Sequence, residues 1–202
     1  KEKENRTHFY RTCLNSGNKI KHLFITPVKF NMKDLVVFTD GSCIPQLVKA
    51  CGATVWPDGE FDDQAFFLDP LSPRTSNRAE FLAAIKAGEQ ADTIDPDRQR
   101  VLHIHTDSML LVNSMTKWVS GWRRNNWKKA GGAEIKNLDL IKTLDSQMTL
   151  RETRFSHVRA HTDGTDYNSY WNTRADTCAQ SHVRLDAGIQ KPAHKNKKWK
   201  RA

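Results

Sequence analysis

Apolar and polar positions fall into distinct patterns along this 202-residue chain, and each pattern predicts an element. Leu35-Val36-Val37-Phe38 is a continuous apolar run, too short for a helix and β-branched, which predicts a buried strand. Residues 50–56 and 61–68 predict two more strands, joined by the turn Pro57-Asp58-Gly59. Residues 34–69 therefore read as an antiparallel meander. Helical spacing begins at residues 76–91, where Ala79, Leu82, Ala83 and Ala87 recur on one side, with Phe81, Ile85 and Gly88 beside them. Ser76 or Asn77 is placed to cap this helix, and Asp95-Pro96-Asp97 closes the unit. Residues 101–106 predict a fourth strand, 108–115 a helix, 135–148 a helix with Ile135, Leu138, Ile141 and Leu144 on its apolar side, 153–158 a fifth strand and 173–183 a last helix. That order describes a mixed α/β sheet flanked by helices.

The flanks differ. Residues 1–33 have no clear period beyond one short strand expected within 20–30, broken at Pro27. Beyond Leu185 the chain turns polar and basic and is expected to be a mobile tail. The organisation expected is a basic extension (1–33), a folded domain (34–184) and a basic tail (185–202).

Composition sharpens this picture. At 38% hydrophobic and 27% charged, with nine Phe and six Trp, the chain can bury a core. No apolar run approaches the ~20 residues of a membrane-spanning helix, so a membrane protein is excluded. The net charge of +9 favours a polyanionic partner. Its distribution is uneven: residues 1–33 hold eight basic and two acidic residues, whereas residues 34–184 hold 18 and 20. The four cysteines, Cys13, Cys43, Cys51 and Cys178, show no metal-finger spacing, so reduced thiols in an intracellular protein are expected. A Cys43–Cys51 bridge across the first hairpin is the alternative. No signal segment opens the chain, and a start at Lys1 is expected of a trimmed piece of something longer. Nucleus, mitochondrion and cytoplasm all remain open. The Lys195–Arg201 stretch reads equally as a nuclear signal, a nucleic-acid tether or a solvated tail.

Two strands end in nearly the same words, Phe38-Thr39-Asp40-Gly41-Ser42 and His105-Thr106-Asp107-Ser108. If these strands are parallel neighbours, Asp40 and Asp107 meet at their carboxyl ends, where α/β folds present site residues. Two such carboxylates repel and need a shared proton or a cation. Oxygen ligands alone select a hard ion, Mg²⁺ or Mn²⁺. Helix capping is the alternative for each Asp, and the repeated frame favours the site.

Thr39-Asp40-Gly41-Ser42, Thr75-Ser76-Asn77-Arg78-Ala79-Glu80, Thr106-Asp107-Ser108 and Asn172-Thr173-Arg174-Ala175-Asp176 together resemble the four-carboxylate series of type 1 ribonucleases H. The resemblance covers about three quarters of the chain. It implies a five-stranded sheet in the order 3-2-1-4-5, with strands 1 and 4 parallel and central. It also implies an endonuclease that hydrolyses the RNA strand of RNA–DNA hybrids with two Mg²⁺ ions, leaving 5′-phosphate and 3′-hydroxyl ends. Asp40, Glu80, Asp107 and Asp176 are the implied ligands, Asp40 shared by both ions. His161 matches the family's loop histidine, implying proton transfer near the attacking water or help with product release. The stretch between His161 and Asp176 is several residues longer than the family's usual one.

The same resemblance assigns substrate contacts. Residues 117–129 carry five basic residues and no acid, and resemble the family's basic protrusion, which grips the DNA strand. Trp122 is the implied channel aromatic, with Arg123, Arg124, Lys128 and Lys129 as cations, while Trp118 and Trp127 are expected to pack the protrusion itself. Thr75 and Asn137 match a DNA-phosphate pocket, with Arg74 as its cation. Ala130 stands where a hydroxyl residue is frequent. Cys43, Met109 and Glu80, with groups around Ser42, Ser76 and Asn77, are implied to read the RNA 2′-hydroxyls. The first hairpin, Ile44-Pro45-Gln46, is shorter than usual. A monomer is expected. The alternatives are the RNase H domain of a retroelement reverse transcriptase and a non-catalytic hybrid-binding module.

Overall fold

A computed structural model describes residues 33–160 and 166–189. β1 (Leu35–Ile44), β2 (Lys49–Val55) and β3 (Gln64–Phe67) form the antiparallel meander, and β4 (Leu102–Thr106) and β5 (Thr153–His157) complete one sheet in the order β3-β2-β1-β4-β5. β4 runs parallel to both β1 and β5. Order and direction match the expectation. The strand expected within 20–30, His161 and the tail beyond residue 189 lie outside the described residues.

β1 is longer than its apolar run. Leu35–Thr39 pair with β4, and from Asp40 onward the strand is held by β2 alone. Its first half is continuously apolar because both faces are covered. Leu35 and Val37 join Phe81 and Ile85 of α1 (Ser76–Ile94) and Ile141 and Leu144 of α4 (Leu138–Leu150). Phe38 turns to the other face, against Val55, Val158 and Ala175 of α5 (Tyr167–Asp186).

α1 sits unusually close to the sheet. Gly41 and Gly52 are cross-strand partners. A Cβ on Gly41 would lie 2.4 Å from the Glu80 nitrogen, and one on Gly52 would lie 2.5 Å from the Ala79 oxygen. The missing side chains make a trough for the helix's small face. The cap is Thr75, whose hydroxyl accepts from the Arg78 amide at 3.2 Å, rather than Ser76 or Asn77.

Helix boundaries depart elsewhere too. α2 (Met109–Asn113) runs through a π-helical stretch, Ser114–Trp118, into α3 (Val119–Arg124), so one winding path joins the sheet to the protrusion. α4 starts three residues later than expected; Ile135 is buried in the core from the preceding non-helical segment. α5 starts six residues earlier, capped by Asp166, which accepts from the Asn168 and Ser169 amides. The extra length before Asp176 is thus wound into helix. Cys43 and Cys51 are both free thiols, which overturns the bridge. Cys43 is paired with Ala50 and Cys51 with Ser42, so their side chains take opposite faces of the sheet.

At the other end of the sheet, Arg151 is buried after α4. Its guanidinium pairs with Asp95 at 2.8 Å and Asp92 at 3.1 Å and donates to the carbonyls of Ala91, Asp95 and Arg100. This clasp ties the last turn of α1 to the start of β5. No described helix is long and apolar enough to cross a membrane.

Candidate active site

The parallel register sets Thr39 opposite Thr106, so the next residues, Asp40 and Asp107, emerge side by side where β4 stops. The trough over Gly41 lets the first turns of α1 deliver Glu80 to the same point. Carboxylate oxygens of Asp40, Glu80 and Asp107 lie within 4.8 Å of one another. Asp176, on α5, lines the same cleft of about 480 Å³. Three separate elements of the fold, with the end of β4, therefore converge on one spot.

The electrostatics are those of uncompensated negative charge. Asp40 and Glu80 are only 5% and 7% exposed. Burial, then the charges of Glu80, Asp107 and Asp176, hold the Asp40 carboxyl well above its ordinary value, against one opposing hydrogen bond from the Gly41 amide at 2.6 Å. Burial and the neighbouring Asp107 push Glu80 up to about 8. No described basic side chain pairs with any of the four acids. Such a group is stable as anions only beside a cation, and its all-oxygen donors fit a hard divalent metal. Asp40, Glu80 and Asp107 can hold one.

Neighbouring amides orient the outer acids. Asn172 is 3% exposed and its Nδ2 donates to Asp107 Oδ2 at 3.3 Å. Gln180 donates to Asp176 Oδ1 at 2.6 Å. The Thr106 hydroxyl reaches Glu80 at 3.5 Å. The sequence reading assigned no role to these three. Gln180 was legible, because i and i+4 share a helix face; Asn172 stands 65 positions from Asp107, and only the packing of α5 on the sheet brings them together.

The remaining predicted contacts divide into groups. Cys43, Ser76, Asn77 and Met109 line the carboxylate cleft. Asn77 also lines a second groove of about 450 Å³, with Trp118, Trp122, Lys129, Lys136 and Asn137 on its walls. Asn137 enters α4 in a left-handed turn, at φ 59°. Trp122 is half-buried against the core, as is Trp127, and its ring lies 5.7 Å from that of Trp118. Trp118 is 40% exposed and lines the groove beside Trp122. Arg124 and Lys128 are exposed, whereas Arg123 forms a two-pronged ion pair with the buried Asp145. Arg74 is not among the residues lining either space; it donates to backbone carbonyls of Val48 and Ser72. The Thr75 hydroxyl is engaged as the α1 cap. Ala160, one residue before His161, lines the cleft.

Comparison with known proteins agrees with this arrangement. The ribonuclease H of Chlorobaculum parvum is 31% identical over 153 residues, covering 75% of this chain and 97% of that protein. The ribonuclease H of Afipia carboxidovorans is 29% identical over 146 residues, covering 72% and 90%. In fold, the solution structure of the PFV RNase H domain superposes with a TM-score of 0.60 at 21% identity, over 75% of this chain and 95% of that one. The RNase H family model matches residues 32–184. With the sheet order and the carboxylate cleft, that match establishes that the chain belongs to the ribonuclease H family of enzymes.

Proposed function

We propose that this protein hydrolyses the RNA strand of RNA–DNA hybrids, using two divalent ions, Mg²⁺ or Mn²⁺, and leaving 5′-phosphate and 3′-hydroxyl ends. The observation that carries the reading is the convergence of the buried Asp40 and Glu80 with the half-buried Asp107 in an uncompensated cluster, with Asp176 lining the same cleft. Bound ions would activate a water and stabilise the leaving oxygen of the scissile phosphate. Asp40, whose carboxyl feels the charge of all three other acids, would be the ligand shared by both ions, with Glu80, Asp107 and Asp176 completing their shells. Asn172 and Gln180 hold Asp107 and Asp176 in orientation. His161 is the proposed proton carrier; the position of its neighbour Ala160 in the cleft wall supports that role.

Substrate would be held on both sides of Asn77. Cys43, Ser76 and Met109 on the carboxylate side suit the ribose 2′-hydroxyls, while Trp118, Trp122, Lys129 and Asn137 suit the DNA strand, joined by Arg124 and Lys128. Arg123 would act through Asp145, stiffening the protrusion. The test is a panel of RNA–DNA hybrid, duplex RNA, duplex DNA and single strands. Mg²⁺-dependent cleavage confined to RNA paired with DNA, abolished by Asp40→Asn, is expected. Equal cleavage of free RNA, or activity surviving that substitution without metal, overturns the reading.

A further inference from the structure

The β1–β2 hairpin turns through Pro45–Leu47 and Val48, and it leaves Leu47 and Val48 45% and 61% exposed. Val48 adopts φ 52°, ψ 43°. That left-handed conformation is rare for any β-branched residue, and Gly or Asn would accept it readily. The turn is nonetheless firmly tied. The Val48 amide donates to the Pro45 carbonyl at 3.1 Å, and Arg74 Nη1 donates to the Val48 carbonyl at 3.0 Å. Arg74 is itself held, through Nε to the Ser72 carbonyl and through its own carbonyl, which accepts from the Cys43 thiol at 3.3 Å. Two aliphatic side chains are therefore presented to solvent on a backbone that disfavours one of them.

Their position gives this meaning. Asp40, Gly41, Ser42 and Cys43 line the carboxylate cleft, and the same strand runs on to Ile44 at the turn. Four extended residues span about 13 Å. On the other side of the Arg74 tie, Ser76 and Asn77 line the same cleft. Leu47 and Val48 thus follow directly on the end of the strand that lines the cleft. Aliphatic groups cannot hold phosphate, but they can pack against sugar C–H faces, which a wide and shallow minor groove leaves accessible.

We propose that Leu47 and Val48 form an apolar rim contact with the sugars of a bound RNA–DNA hybrid in its minor groove, with Arg74 as the positioning residue that locks the turn. The inference rests on the hybrid-cleaving function above and adds to it a contact made by the first hairpin.

The test separates binding from turnover. Affinity for a short fluorescent hybrid is measured in EDTA across a salt series, and kcat and KM are measured with Mg²⁺, for Val48→Gly, Leu47→Ser and a control, Leu150→Ser. Leu150 is also exposed but lies on α4, next to the Arg151 clasp. Val48→Gly is expected to melt at or above the wild-type temperature, since it relieves the backbone, yet to bind hybrid about fivefold more weakly. KM should rise by a similar factor with kcat unchanged, and Leu47→Ser should behave likewise in binding. The slope of log affinity against log salt should stay as in the wild type, because no counterion-releasing contact is lost. Unchanged affinity in both variants overturns the proposal, as does a shallower salt slope or an equal loss in Leu150→Ser. If the wild type binds hybrid without cleaving it, the catalytic reading fails while the affinities still decide the rim contact. If it neither binds hybrid in EDTA nor cleaves it with Mg²⁺, both fail; if it cleaves without measurable binding in EDTA, the KM values decide the rim contact.

Discussion

In its first turns, α1 brings Glu80 against Asp40 and Asp107 with no described basic side chain among them; in its last turns, it brings Asp92 and Asp95 against the buried guanidinium of Arg151. The residue types are the same and the responses opposite. Burial pushes both Asp40 and Glu80 upward, joined at Asp40 by the charges of Glu80, Asp107 and Asp176 and at Glu80 by that of Asp107. Asp92 is lowered chiefly by its hydrogen bond from Arg98, and Asp95 is lowered by hydrogen bonds from the Arg100 amide and Arg151 that outweigh its burial. One end is internally neutralised and holds the fold together. The other is left charged against itself, which costs stability and makes a place for a cation.

The sharpest way to break this contrast is substitution at each end. Asp40→Asn should lower Mg²⁺-dependent hybrid cleavage by about 10³-fold or more, while the metal-free protein melts at or above the wild-type temperature. A fall in melting temperature would mean that the acids serve the fold. Arg151→Met should do the reverse. It strands Asp95 at a buried site, while Asp92 keeps its pair with Arg98, and is expected to cost about 3–5 kcal/mol in denaturant unfolding, with kcat per folded molecule retained.

Gly41→Ala probes the approach of α1. A methyl group 2.4 Å from the Glu80 nitrogen requires the helix to move. Metal affinity, followed by titration calorimetry, should fall about tenfold or more. An unchanged affinity would separate Glu80 from the cation site.

The smallest effects are in pH. Glu80, with a folded value of about 8 against an ordinary 4.5, binds its proton more tightly when folded. The metal-free protein should therefore lose stability as pH rises from about 5 to about 8. Mg²⁺ should raise the melting temperature more at pH 8 than at pH 5. Asp92 and Asp95 have the opposite sign. Their contribution is present above the ordinary value of 3.8 and is lost as pH falls through their lowered values. Melting curves in EDTA and in Mg²⁺ across this range check both arms, and Glu80→Gln should flatten only the upper one.

Much of this was legible in the chain. The apolar runs and the repeated Thr-Asp-Ser frames located the central strands, because buried parallel strands must be apolar until they leave the sheet. Sequence did less well where an element's end depends on a distant partner. β1 continues six residues beyond its apolar run because β2 still pairs with it. α5 begins at Tyr167 because Asp166 caps it and its aromatic first turns pack together, Tyr170 against Trp171 with ring centroids 5.0 Å apart. Read linearly, the same residues looked like an insertion. Arg74 and Arg123 looked alike as cations for phosphate, yet one ties down a turn and the other is paired with Asp145.

What the sequence determined by itself was the set of acids, their order and the kind of strand each would leave, since these follow from local pattern and chemistry. Tertiary structure decided which charges would be left uncompensated. That depends on which side chains meet across the sheet, and no spacing along the chain distinguishes an Asp that finds Arg151 from one that finds only other acids.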